Sequence, residues 1–212
     1  MIGLMRRLPL DSALKHPPRS VLVVDDDIMI VHLLKKALGQ RFPLFEVMGC
    51  QHSRNARELL RQRPFDLLVT DLCMPEMDGL DLVELARAQW PALPVIVVTG
   101  VDVPLVPEPV VTIPNSVTVK KPVPFEQFYT LIEAILLRAS EGEEAQVCPD
   151  RIIKALNRTK SSAHVRVLQT SENVAFRIEE GEWITFDDES NSTEKVEAML
   201  ARAGAEIQLI FE

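Results

Sequence analysis

This chain of 212 residues is short of cysteine, of basic charge in its last third and of long apolar runs, and each shortage excludes something. Three cysteines, Cys50, Cys73 and Cys148, are an odd number without a Cys-x-x-Cys pair, which suits a reducing compartment and not a disulfide framework. The longest uncharged stretch, Ala88 to Val101, is interrupted by Pro91 and Pro94 and falls short of the roughly 20 apolar residues a membrane helix needs. The N-terminus lacks an apolar run after its first charges, so no secretory signal is read there and a cytoplasmic location is expected. Residues 141–212 carry 15 acidic and 8 basic side chains, the wrong sign for gripping phosphates, so a nucleic-acid interface is not expected in them. Gly-Gly-Asp-Glu-Phe, paired His-Asp phosphohydrolase motifs and a Gly-rich ATP loop are all missing. His16, His32, His52 and His164 show no metal-ligand spacing and read as surface or packing residues.

What is present has a rhythm. Residues 1–19, with Pro17-Pro18, read as an irregular lead-in. Val21–Val24 is a short, wholly apolar, β-branched run, the pattern of a strand covered on both faces, Val95–Val98 reads as another buried strand, and Leu44–Met48, Phe65–Thr70 and Val117–Val119 read as further short strands. Helical spacing occupies Ile28–Leu38, with Gly39 as a stop, then Ser53–Arg63 with Ser53 as cap, Leu80–Trp90 and Phe125–Arg138. Strands alternating with helices predict right-handed crossovers and a doubly wound, five-stranded parallel sheet. One helix is missing from the pattern. Pro104, Pro107, Pro109 and Pro114 stand where the fourth should be, each costing about 3 kcal/mol in a helix interior. Domain organisation is expected to be an α/β domain over 20–139, a charged linker at 140–149 and a small α+β module over 150–212. That module should contain a helix at Arg151–Asn157, strands at His164–Gln169, Val174–Ile178 and Trp183–Phe186 around a turn at Gly181, a helix at Thr193–Ala203 and a last strand at Glu206–Phe211.

Ligands of open parallel sheets sit beyond the carboxyl ends of the strands. Those ends hold Asp25-Asp26-Asp27, Asp71, Thr99-Gly100 and Lys120-Lys121-Pro122. Taken singly each has an ordinary use. Asp71 suits a turn, Asp25 and Asp26 a capping pair, Asp27 the positive end of a helix, Thr99 a strand and Lys121 a solvated surface. Gathered in one crevice, the carboxylates repel unless a cation joins them. Hard oxygen ligands suit Mg²⁺, and a hydroxyl and an ammonium opposite suit a tetrahedral phosphoryl group. The set reads as a Mg²⁺-dependent phosphate site in which one Asp is the nucleophile.

The order Val-Val-Asp-Asp, Thr-Asp-Leu-Cys-Met-Pro-Glu-Met-Asp-Gly, Val-Val-Thr-Gly and Lys-Lys-Pro, spread over Ser20 to Ser140, resembles the CheY-like receiver domain of two-component response regulators. The resemblance implies strand order 2-1-3-4-5 and Asp71 as phosphoacceptor, charged by a sensor histidine kinase. It implies a Mg²⁺ site made by Asp26, Asp71 and the backbone carbonyl of Cys73, with Asp25 acting through a metal water. Thr99 and Lys121 would meet phosphoryl oxygens, across a cis Lys121–Pro122 bond. Of the two lysines, Lys121 is favoured and Lys120 is read as outward-facing. Two departures stand out: Thr118 replaces the aromatic residue common three positions before the lysine, and the proline segment replaces the fourth helix. Residues 150–212 are similar to the PATAN family, a small non-catalytic protein-interaction module, through Ile152-Ile153, Val165-Arg166-Val167, Ala175 to Ile184 and Thr193 to Leu200.

The expected function is therefore a response regulator, not a turnover enzyme beyond self-phosphorylation and dephosphorylation at the aspartate. Its partners would be a sensor histidine kinase and an output protein, with a homodimer left open and no nucleic acid or membrane. The alternatives are a phosphate-independent adaptor and a DNA-binding transcriptional regulator.

Overall fold

A computed structural model describes residues 19–75, 77–100, 115–137, 147–168, 173–180, 182–185 and 206–211. The lead-in at 1–18, the proline segment 104–114, residues 140–146 of the expected linker, the turn at Gly181 and the helix at Thr193–Ala203 lie outside the described residues.

The first five strands are β1 (Ser20–Val24), β2 (Glu46–Cys50), β3 (Leu67–Asp71), β4 (Val95–Thr99) and β5 (Ser116–Lys120). They pair in parallel in the order β2-β1-β3-β4-β5, as expected of the doubly wound sheet. Helices α1 (Ile28–Arg41), α2 (Ser53–Gln62), α3 (Gly79–Gln89) and α4 (Phe125–Ile132) cover it. Strand alternation divides the core in two. Val21, Val23, Val69, Ile96, Val98, Val117 and Val119 face α1 and α4 through Leu38, Phe128, Leu131 and Ile132. Leu22, Val24, Leu68, Val95 and Val97 face α2 and α3 through Ala56, Leu60, Leu82, Val83 and Ala86. Burying both faces is what makes the runs Val21–Val24 and Val95–Val98 wholly apolar, whereas the edge strand β2 leaves Glu46 and Gly49 exposed.

Three local expectations are corrected. Gly39 does not stop α1, which runs on to Arg41 until Phe42 reaches the core and stacks on Phe45 at 4.7 Å; Pro43 then prevents continuation. One interior glycine costs about 1 kcal/mol, less than burying an aromatic ring returns. Ser53 begins α2 and does not cap it; the cap residue is His52, without a side-chain cap bond. The second strand lies at Glu46–Cys50 and not Leu44–Met48, because Phe45 is spent on the Phe42 stack.

Beyond residue 147 the chain adds α5 (Pro149–Arg158) and strands β6 (Ala163–Leu168), β7 (Asn173–Glu179), β8 (Glu182–Thr185) and β9 (Glu206–Phe211). The sheet does not end at β5. Strand β9 pairs with it in parallel, Val117 opposite Ile207, Thr118 opposite Gln208 and Val119 opposite Leu209. Antiparallel β6, β7 and β8 follow, giving one nine-stranded sheet in the order β2-β1-β3-β4-β5-β9-β6-β7-β8. The core is continuous as well: Ile152, Ile153, Leu156, Ala163, Val165, Ile178, Ile207 and Leu209 join the α1–α4 side of the sheet. A π-helical turn, Glu133–Leu137, continues α4 with Ala134, Ile135 and Leu136 buried.

Candidate functional site

The alternation that buries Val21 and Val23, Leu67 and Val69, and Val117 and Val119 carries on into Asp25, Asp71 and Lys121. Three side chains far apart in the chain are thereby placed in phase at one rim of the sheet. Lys120, one position out of phase, is on the other side of the strand.

At that rim the Lys121 Nζ donates to Asp25 Oδ2 at 2.7 Å and to Asp71 Oδ2 at 2.6 Å. Both carboxylates are buried, at 3% and 7% exposure, whereas Asp26 is open to solvent. One carboxylate oxygen from each of Asp25, Asp26 and Asp71 lies within 4.8 Å of the others, close enough to share a cation. Such a set of hard oxygens, part buried and part open to water, fits Mg²⁺.

The backbone fixes these groups. Asp25 Oδ1 accepts from the Asp27 N–H at 3.0 Å, and Asp27 in turn caps α1 by accepting from the Met29 N–H at 2.8 Å. Asp27 thus fills the capping role that the sequence offers it, which leaves Asp25 and Asp26 to the rim. Asp71 Oδ1 accepts from the Cys73 N–H at 3.2 Å, so the Cys73 backbone turns back onto the carboxylate. Thr99, fully buried at the end of β4, accepts the Lys121 N–H on its carbonyl at 2.7 Å, and the Lys121–Pro122 peptide is cis. The structure therefore brings together Asp25, Asp26, Asp71, Cys73, Thr99 and Lys121. Thr118 is buried on the phase opposite Lys121 and offers no ring.

Burial is the strongest influence on Asp25 and pushes its carboxyl above the usual carboxylate range, against the bonds from Lys121 and the Asp27 N–H. Burial also acts on Lys121, downward, but the bonds to Asp25 and Asp71 together outweigh it and hold the amine above its ordinary value. The site is thus two buried carboxylates sharing one ammonium.

Two contributors were not singled out by sequence reasoning. Gln51, just after β2, donates its side-chain amide to the Asp26 carbonyl at 3.1 Å. No local signal marks it. Gly79, the last residue of the Thr-Asp-Leu-Cys-Met-Pro-Glu-Met-Asp-Gly motif, opens α3 against the site: a Cβ there would fall 2.0 Å from the Asp71 carbonyl oxygen. Only glycine allows that approach.

Residues 21–133, just over half of the chain, match the family described as the response regulator receiver domain. The chain belongs to that family. It is 35% identical over 82 residues to the response regulator receiver protein CpdR of Brucella abortus, covering 39% of this chain and 67% of that one. It is 37% identical over 82 residues to the response regulator protein PilR of Pseudomonas aeruginosa, and 36% identical over 81 to the DNA-binding transcriptional regulator NtrC of Proteus hauseri. Those matches take in 39% and 38% of this chain but only 18% and 17% of the two relatives. Among solved structures, a response regulator receiver protein from Pseudomonas putida superimposes with TM-score 0.51 at 30% identity, covering 56% of this chain and 98% of that one. The chemotaxis protein CheY4 of Vibrio cholerae gives TM-score 0.51 at 24% identity over 56% and 99%, a likeness of fold. Receiver domains bind Mg²⁺ through an acidic pocket and interact with histidine kinases, and the rim described above is such a pocket.

Proposed function

We propose that this receiver accepts a phosphoryl group on Asp71 from a sensor histidine kinase and uses it to alter protein contacts of the C-terminal segment. The observation that carries the reading is the Lys121 ammonium bridging Asp25 and Asp71 with Asp26 beside them. An Asp71 carboxylate oxygen attacks phosphorus of the phosphohistidine. The P–O bond forms as the P–N bond breaks, and the released imidazole takes up a proton. Asp25, Asp26, Asp71 and the Cys73 carbonyl would hold Mg²⁺, which when bound neutralises charge on the phosphoryl oxygens. Lys121 leaves its carboxylate partners for one phosphoryl oxygen, and the Thr99 hydroxyl donates to another. The added group brings about −1.5 to −2 charge. In this reading the phosphoryl group stays on the chain's own aspartate, and the chain acts as a switch.

The output is read as a protein interaction. Acidic excess in 141–212 opposes DNA, the PATAN resemblance points to protein contacts, and the matches to PilR and NtrC take in only 39% and 38% of this chain. Among the described residues no helix is long and apolar enough to cross a membrane. Thr118 in place of a ring favours the second reading, a phosphate-independent adaptor, but the complete acidic set has no use in it. Incubation with acetyl phosphate and Mg²⁺ decides between them: the intact protein should gain one acid-labile phosphoryl group by mass, and Asp71→Asn should gain none. An unmodified wild type leaves the adaptor.

A further inference from the structure

The edge of the receiver sheet is occupied by the chain's own C-terminal strand, and that strand lies one step from the pocket. Strand β5 has β4 on one side, with Thr99 opposite Lys120, and β9 on the other, with Val119 opposite Leu209. At its far end β5 is pinned. Asn115, with φ of 58°, accepts the Val147 N–H on its side-chain oxygen and donates Nδ2 to the Ala92 carbonyl at 2.8 Å. Its own carbonyl accepts from the Val95 N–H and from Arg87, both at 3.2 Å. The start of β5, the start of β4, α3 and the entry to α5 therefore share one junction. The other end of β5 runs directly into Lys121, whose two partners are the carboxylates of the pocket. One end is held by four hydrogen bonds and the other by groups whose charge changes when the pocket fills.

We propose that the β5–β9 seam is the output joint of this chain: filling the pocket draws Lys121 and the end of β5 to a new position, and β9 with the antiparallel strands behind it reports the change. The inference rests on the phosphoacceptor reading and adds the route out of that site. Coupling is reciprocal, so a seam held rigid must also alter what the pocket binds. The last turn of α2, which leads into Arg63 and its bonds to Glu46 at the start of β2, lies at the end of the sheet away from the pocket and serves as the internal control.

The full chain is tested by amide hydrogen exchange, free and with Mg²⁺ plus beryllofluoride, with binding followed in parallel by calorimetry. Exchange in peptides spanning 116–120 and 206–211 should change at least threefold, while 58–62 changes less than twofold. In a second protein the facing pair is crosslinked as Val117→Cys with Ile207→Cys in a background free of other cysteines. Oxidation should change beryllofluoride affinity at least threefold, with recovery on reduction. Binding heat with unchanged exchange at 206–211 overturns this inference and leaves the phosphoacceptor reading standing. Absence of binding heat overturns both.

Discussion

The Lys121 ammonium stands 2.6 Å from Oδ2 of Asp71. With Asp25 at 2.7 Å on the same nitrogen, two buried negative charges are matched by one positive charge, and the remaining imbalance faces the exposed Asp26. A divalent cation corrects that imbalance without new side chains, and the predictions below follow from this excess of negative charge.

Mg²⁺ should stabilise the fold. At about tenfold over its dissociation constant a ligand that binds only the native state adds about 1.4 kcal/mol. Asp26→Ala, at an exposed position, should leave metal-free stability within about 0.5 kcal/mol and remove most of the Mg²⁺ response. Thermal unfolding with and without Mg²⁺ checks both; an undiminished response in the variant would exclude Asp26 as a ligand.

Lys121→Met strands Asp25 and Asp71 together. Losing one partner of a buried pair costs 3–5 kcal/mol, and the 24% exposure of the lysine reduces this to about 2 kcal/mol here. The same change removes the cation that competes with Mg²⁺, so the deficit should shrink as Mg²⁺ is added. Urea unfolding across a Mg²⁺ series shows whether the two curves converge.

Asp25→Asn should be more stable than the wild type at neutral pH without Mg²⁺. Burial raises the folded pKa of Asp25 above its unfolded value, so its contribution is fully present below the unfolded pKa and is lost as pH rises through the folded one. The advantage of the neutral amide should therefore close on acidification. Parallel unfolding curves at neutral and mildly acidic pH measure the gap, and a less stable variant at neutral pH contradicts the sign.

Gly79→Ala should damage fold and site together. Its Cβ would meet backbone at 2.0 Å, and neither the Asp71 carbonyl nor the start of α3 can yield without displacing the carboxylate. Overpacking of this kind costs about 2–3 kcal/mol. Mg²⁺ affinity by calorimetry should fall as well. Stability lost with affinity intact would separate the glycine from the site.

Cys73, exposed beside Asp71, should react with a thiol reagent in the native protein, whereas Cys50, buried and with its thiol pushed up by that burial, should react only on unfolding. Mass mapping of labelled peptides distinguishes them.

Sequence alone determined the parallel five-stranded sheet and the residues at its carboxyl rim. Both are written locally, in the apolar runs of β1 and β4, in two-residue alternation and in the residues at the end of each strand. Asp27 as a cap was also legible, because capping joins residues two apart. Element ends were less so: Gly39 and Ser53 carry the right chemistry for a stop and a cap, but Phe42 and its stack on Phe45 moved the end of α1, and α2 takes His52 as its cap residue. Tertiary structure decided that the C-terminal strand lies against β5, that Asn115 ties the two segments together, and that one ammonium serves two carboxylates. These are pairings between distant segments. Their register depends on which apolar faces remain uncovered once the sheet has formed, and no spacing within either segment records it.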